Sequence, residues 1–185
     1  GTGIQLSETA VPKPKKVVIV ARFDYQKNLL EFLRVAQQLP GYEFFVIGDG
    51  VDRPEIEAYI HANNIKNVSL CGASQTVLAD IADADLYVTT ARWEGLPLAV
   101  LEAMSLGIPV VASDVVGNRD AVEPGVTGYL YPLGDISACV SAMEQAMLLN
   151  RVQIRKFHSE NFSSERMITK TLGVYKNVLE GRTAR

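Results

Sequence analysis

The stretch WEGLPLAVLEAMSLGIPVV, residues 93–111, decides how the chain is read. It divides into loop, helix, turn and strand. Pro97 suits the first helical position, because the N–H it lacks is one that a helix start leaves unpaired anyway. LAVLEAMSL (98–106) then carries apolar residues at helical spacing, Gly107 supplies a stop, and IPVV (108–111) opens a buried strand. Two carboxylates, Glu94 and Glu102, stand on either side of the helix start, with seven residues between them.

A helix N-terminus presents free N–H groups and partial positive charge, which suits a phosphate. Pro97 donates nothing, so Leu98, Ala99 and Val100 are the expected donors. A carboxylate beside a phosphate would repel it, so Glu94 and Glu102 are expected to serve neutral hydroxyls. Helical side chains lean back toward the N-terminus, which brings Glu102 toward hydroxyls about one sugar ring away from the phosphate, as in a ribose. Glu94, ahead of the helix, faces the other side. A diphosphate flanked by two hydroxylated rings is a nucleotide sugar. The blander reading of either residue is a surface carboxylate favoured by the helix dipole.

The chain has 185 residues, enough for one domain with a proper core. A hydrophobic content of 48% and a net charge of −3 describe a soluble globular protein without the basic excess that nucleic acid as main partner would require. No apolar run reaches the length of a membrane span and no signal peptide opens the chain. The start at Gly1 is expected to be a boundary inside a longer protein. Cys71 and Cys139 lie in apolar segments and read as reduced core residues of an intracellular protein. With only these cysteines and His61 and His158, no metal site is expected.

Residues 1–15, with Pro12 and Pro14, read as a linker, and residues 16–185 as the domain with its C-terminal helices. KVVIVA (16–21) is a continuous β-branched run, the pattern of a strand buried on both faces of a parallel sheet. Its exit loop carries Arg22 and Lys27, where ligands bind in open α/β sheets. Positive charge just ahead of the helix LLEFLRVAQQL (29–39) is unfavourable unless an anion is present. YEFFVIGDG (42–50) and NVSLCG (67–72) are further strands, the first followed by a helix that has Pro54 in its first turn. Small residues at Gly72, Ala73 and Ser74 would let a flat base approach the backbone, with Ser74 as the N-cap of QTVLADIADA (75–84). Asp83 and Asp85 resemble a D-x-D metal pair but precede the strand LYVTT (86–90), which places them at the edge opposite the ligand. Trp93 is expected to anchor its loop by packing. The segment 117–120 is expected either to touch a donor sugar or only to cap a short helix. VTGYLYPLGD (126–135) gives a short strand, Asp135 caps the next helix, and residues 150–181 read as two more helices with Phe162, Met167, Leu172 and Tyr175 as an apolar stripe. Strand and helix thus alternate through most of the chain, the order of a doubly wound parallel α/β sheet.

Together these residues resemble a known family. E-G-L-P-x-x-x-L-E-A-M-x-x-G-x-P-V-V (94–111) closely resembles the signature of the group 1, or family 4, retaining glycosyltransferases of the GT-B architecture. ARFDYQKN (21–28) resembles that family's G-R-x-x-x-x-K-G loop, with Ala21 and Asn28 in place of the usual glycines. GTGIQL (1–6) resembles its interdomain linker, and GNRDAV (117–122) its loop after the following strand. The likeness covers nearly the whole chain, as the C-terminal, Rossmann-like half of a GT-B fold. The resemblance implies that Arg22 and Lys27 hold the donor diphosphate, assisted by Leu98 and Ala99 N–H groups. It also implies that Glu102 takes the ribose, that Glu94 beside Gly95 orients the transferred sugar, and that the Gly72–Ser74 loop meets the base. It implies a hexosyl donor, commonly a UDP-sugar, a glycan or lipid-linked acceptor, and no cofactor or bound metal. The acceptor domain would be the missing N-terminal half, so this half alone is expected to transfer little. A cytoplasmic location is implied, with any contact with the inner face of a membrane made through the missing part. The alternative is a non-catalytic nucleotide-sugar-binding subunit or assembly module.

Overall fold

The computed structural model describes residues 12–163. Six strands, β1 (Lys16–Val20), β2 (Glu43–Ile47), β3 (Val68–Gly72), β4 (Leu86–Thr89), β5 (Val110–Ser113) and β6 (Gly128–Tyr131), form one sheet in the order β3-β2-β1-β4-β5-β6. Every pairing is parallel. The helices are α1 (Leu29–Gln38), α2 (Arg53–Ala62), α3 (Val77–Ile81), α4 (Leu98–Ser105), α5 (Val116–Ala121), α6 (Ile136–Ala146) and α7 (Arg151–Asn161). The order reverses between β1 and β4, where neighbouring strands exit toward opposite sides and leave a crevice at their carboxyl ends.

The unbroken apolar runs are explained by two cores, one on each face. Val17 and Ile19 of β1 point into a cluster with Phe32, Phe44, Val111 and Met143, under α1, α2 and α6. Val18, between them, points the other way, to Tyr87, Leu101, Met104 and Ile154 under α4 and α7. Side-chain alternation therefore demands apolar residues at every position of a central strand. At the edge the demand lapses. Ser69 and Cys71 of β3 are exposed while Val68 and Leu70 are half-buried. Cys71 is thus not a core residue, and of the two cysteines only Cys139 is buried.

Helix α4 stops as the sequence requires. Gly107 has φ 72°, and its N–H donates to Met104 O at 2.9 Å while that of Ile108 donates to Ala103 O at 3.0 Å. This pair of bonds is a Schellman cap, whose left-handed residue favours glycine. Asp135 caps α6 by accepting from Ala138 N at 2.9 Å, and Pro54 sits in the first turn of α2. Asp83 and Asp85 are both held by Lys16, at the start of β1, through its Nζ at 2.6 Å and its N–H at 2.8 Å. They lie at the amino edge, as expected.

Two expected helix starts differ. Helix α3 begins at Val77, and Ser74 does not cap it. Its Oγ accepts from Thr76 N at 3.0 Å and donates to Asp80, a turn that starts two residues upstream of the cap position, Thr76. Pro97 is the N-cap of α4, not its first helical residue. Its φ of −80° and ψ of 77° close an inverse γ-turn, with Leu98 N–H donating to Leu96 O at 2.9 Å. Residues 12–15 carry no regular structure. The rest of the 1–15 linker, the second closing helix, and Met167, Leu172 and Tyr175 lie outside the described residues. No described helix is long and apolar enough to cross a membrane.

Candidate active site at the carboxyl edge

A cleft of about 450 Å³ opens at the point where the strand order reverses. Its walls are the end of β1 with Arg22 and Lys27, the end of β2 with Gly48 and Asp49, Ala73 and Ser74 after β3, Thr89 of β4, Glu94, and Leu96–Val100 at the start of α4. Five of the expected site residues therefore meet here as side chains or backbone: Arg22, Lys27, Ser74, Glu94 and Ala99. Leu98 also lines the cleft, but its N–H is taken by Leu96 O in the γ-turn, which removes it as a donor. Ala99 and Val100 N–H groups are unpaired among the described residues and lie on the cleft wall. Val100, an expected donor alongside Leu98, thus takes its place.

Three expected residues stand aside. Gly72 has φ 78° and borders a neighbouring cavity that shares Ala73 and Ser74 with the cleft. Gly95 is exposed and off the cleft wall; its carbonyl and that of Glu94 back onto Gly117. Glu102 sits a turn deeper in α4, half-buried, and is not part of the cleft wall. It is close enough to Tyr87 for its charge to be felt there. Burial above all, and then the charges of Glu94 and Glu102, hold the Tyr87 phenol far above its ordinary pKa, against the opposing effect of its hydrogen bonding with the Val20 backbone at 3.2 Å.

Charge inside the cleft is already paired. Lys27 Nζ donates to Glu94 Oε1 at 2.5 Å, with the two side chains 19% and 9% exposed. Arg22 is 72% exposed at the rim and contacts Asp24 at 3.4 Å and Gln26 at 3.3 Å. Asp49 faces Arg53 at 3.3 Å.

The loop that carries Lys27 is bolted to the loop that carries Glu94. Arg92 donates its N–H to Gln26 O (2.8 Å), its Nε to Tyr25 O (3.1 Å) and its Nη2 to Asn28 Oδ1 (2.8 Å). Gln26 Nε2 returns a bond to Trp93 O at 3.0 Å, and Thr90 Oγ1 bonds the carbonyls of Lys27 and Asn28 at 3.0 and 3.1 Å. Trp93 is half exposed and leans on Tyr25 with ring centroids 5.9 Å apart, so it is a rim residue and not a packed anchor. Asn28 has φ 53° and ψ 47°, the left-handed region where asparagine is the best tolerated non-glycine residue. It therefore serves where the family has glycine.

Asn28 opens a buried polar chain. Its Nδ2 donates to Glu31 Oε2 at 2.7 Å, and Glu31 Oε1 accepts from Tyr131 OH at 2.9 Å and Gly134 N at 3.0 Å. Glu31 is 5% exposed. A helix α1 carboxylate three residues past an asparagine is a readable sign of such a bond, but its partners a hundred residues on are not. On the opposite flank, Gly117 N donates to Glu94 O at 3.1 Å, and a Cβ there would lie 2.5 Å from that oxygen. The 117–120 segment thus belongs to a short helix, α5, packed against the Glu94 backbone. Asn118 is fully buried, with Nδ2 bonded to Ser113 O at 3.0 Å. Among the described residues no group of three or more His, Cys, Asp or Glu side chains is placed to hold a metal ion.

Residues 5–161 match the family model of the glycosyl transferases group 1. The chain is 31% identical over 172 residues to lipopolysaccharide 1,6-galactosyltransferase of Escherichia coli K12, covering 85% of this chain and 46% of that one. It is 31% identical over 133 residues to an Escherichia coli UDP-Gal:alpha-D-GlcNAc-diphosphoundecaprenol alpha-1,3-galactosyltransferase, covering 68% and 34%. Among solved structures, a variant of S. aureus TarM in a complex that includes UDP and alpha-GlcNAc-glycerol superimposes with a TM-score of 0.76 at 26% identity, over 94% of this chain and 38% of that one. The apo lipopolysaccharide outer core galactosyltransferase WaaB gives a TM-score of 0.76 at 25% identity, over 92% and 50%. The chain spans about half the length, or less, of the curated relatives it matches. The sheet order, the carboxyl-edge cleft and these likenesses agree: the chain belongs to the group 1 glycosyltransferases and has the Rossmann-like fold of a GT-B half.

Proposed function

We propose that this domain binds the donor of a retaining hexosyl transfer, a nucleoside diphosphate sugar with UDP as the nucleotide, and that the acceptor is a glycan or a lipid-linked saccharide. The observation that carries the reading is the meeting of Lys27, Arg22, Glu94 and the free Ala99 and Val100 N–H groups in one cleft at the sheet's reversal point. Two cations and a helix start suit a diphosphate. UDP is supported by the TarM complex and by the UDP-galactose relative.

In this reading Lys27, Arg22 and the α4 start offset the charge that grows on the leaving diphosphate. Fixed positive groups aimed at developing charge lower the barrier without a reorganisation cost, so donor binding is expected to persist in EDTA. Glu94, at the inner end of the cleft, orients the transferred sugar. Glu102 approaches the ribose hydroxyls from the next turn of α4, and the Ala73–Ser74 loop meets the base. Acceptor contacts come from the part of the longer protein that this chain does not span, so the isolated domain binds nucleotide and transfers little.

Titration calorimetry with UDP, GDP and ADP in EDTA tests this, alongside Glu102→Ala. The expected result is binding of UDP ahead of the others, weakened about tenfold by loss of the ribose hydrogen bonds. Binding of none of the three, or binding unaffected by Glu102→Ala, overturns respectively the donor site and the ribose assignment. For the two-domain protein, retention is read from the anomeric configuration of the product by NMR.

A further inference from the structure

We infer that Glu94 acts as a stand-in for the donor: it holds Lys27, and an incoming diphosphate binds by taking Lys27 from it. The inference rests on the donor-site reading above and adds a device to it.

Four charged side chains line the cleft, Arg22, Lys27, Asp49 and Glu94. Each has a partner already. Arg22 is held by Asp24 and Gln26 at the exposed rim, and Asp49 by Arg53 on α2. Lys27 is the one cation of the cleft wall whose partner also lines the cleft, and the Lys27–Glu94 pair is the least exposed of the described ion pairs. The cleft therefore contains no spare positive charge deep inside. A diphosphate must either share the ammonium with Glu94 or displace it.

Sharing is possible in donor count, because an ammonium has three N–H groups. It is unfavourable in charge, because it sets a carboxylate and a phosphate on one cation in a poorly solvated place, where like charges repel strongly. Displacement avoids this. The ammonium swings on its four-carbon stem, while the backbone around it stays put, held by Arg92, Gln26 and Thr90. Glu94 is left without its cation and turns to the hydroxyls of the sugar that arrives with the diphosphate. Donor binding itself thus frees the group that orients the donor's sugar. The same pair keeps a half-buried carboxylate and a half-buried ammonium neutralised.

The consequence runs against the usual effect of deleting a site residue. Removing the Glu94 charge raises nucleotide affinity, because Lys27 no longer has to be won. UDP titration of the full chain by calorimetry, with ADP and GDP in parallel, tests this with Glu94→Gln, Lys27→Met and the double variant. Glu94→Gln is expected to bind UDP about tenfold tighter than the unaltered chain, and Lys27→Met at least about tenfold weaker. In the Lys27→Met background Glu94→Gln is expected to change affinity less than about twofold, because the carboxylate acts through Lys27. Affinity unchanged or weakened by Glu94→Gln overturns the exchange. So does an equal gain with and without Lys27, which would mean direct repulsion of the diphosphate by Glu94. UDP binding that ignores Lys27→Met, or no nucleotide binding to any form, overturns the donor-site reading beneath it, a different failure with a different signature.

Discussion

The buried chain Arg92–Asn28–Glu31 has a fixed polarity, and reversing one link tests whether it was read correctly. A guanidinium only donates, so Asn28 must turn its Oδ1 to Arg92 and its Nδ2 to Glu31. Glu31 must then accept at Oε2 from Asn28 and at Oε1 from Tyr131 OH and Gly134 N. Glu31→Gln keeps shape and volume but gives one end of the group two N–H donors. If the new amide oxygen stays with Tyr131 and Gly134, its NH2 faces the NH2 of Asn28. Flipping Asn28 only moves the conflict to Arg92. With the site 5% exposed, water offers little relief. Leaving buried donors unpaired costs about 1–3 kcal/mol each, so Glu31→Gln is expected to destabilise the domain by roughly 2–4 kcal/mol. At about 2–4 °C per kcal/mol for a domain of this size, Tm falls by roughly 5–15 °C. Thermal and urea unfolding followed by circular dichroism measure this. Adding Asn28→Asp supplies an acceptor for both Arg92 and the new amide, and aspartate also tolerates the left-handed backbone. The double variant is expected to regain at least about half of the loss, whereas Asn28→Asp alone sets two carboxylates together and loses stability. A Glu31→Gln variant within about 0.5 kcal/mol of the parent, or a double variant no better than the sum of the singles, would refute the assigned polarity.

Other outcomes follow from single residues. Under native conditions iodoacetamide is expected to label Cys71 and spare Cys139, whose thiol is buried and raised far above its ordinary pKa by burial and by Glu31; mass spectrometry reads the two peptides. Gly107→Ala is expected to cost about 2–4 kcal/mol, because φ is 72° and the new Cβ would lie 2.6 Å from Arg151 O. Gly134→Ala, with φ 88° but nothing within 4 Å, is expected to cost only the backbone part, about 1–2 kcal/mol; equal losses at the two sites would show that the α4–α7 contact is looser than described. Burial lowers the pKa of His158 below the ordinary imidazole value of 6.5. The unfolded chain then takes up the proton first as pH falls, so this residue's contribution to stability is intact above about pH 7 and is lost on acidification through the imidazole range. NMR titration of His158 at or above the ordinary midpoint would contradict this.

The amino-acid sequence alone determined the parts of this protein that depend on neighbours along the chain. β-branched runs bounded by turn residues marked the central strands, because a strand buried on both faces must be apolar at every position. Gly107 and Asp135 marked helix ends, because caps are made within one turn. The 94–111 motif and the Arg22/Lys27 loop marked the carboxyl edge where the cleft opens, because a parallel sheet places all its strand exits on one side. What needed the tertiary structure was everything set by partners distant in sequence. Cys71 looked like a core residue until β3 proved to be an edge strand with one face uncovered. Leu98 looked like a donor, yet one backbone angle at Pro97 closed a γ-turn and took its N–H. Arg92 carried no local signature and Glu31 only its spacing from Asn28, since their distant partners are placed only when the loops of β1, β4 and β6 come together. Lys27 and Glu94, 67 positions apart, were both visible as candidate site residues in the sequence, but their mutual pairing was not. Local patterns state which groups a chain offers, and the fold decides which of them meet, because an ion pair or hydrogen bond depends on distances that only the packed sheet sets.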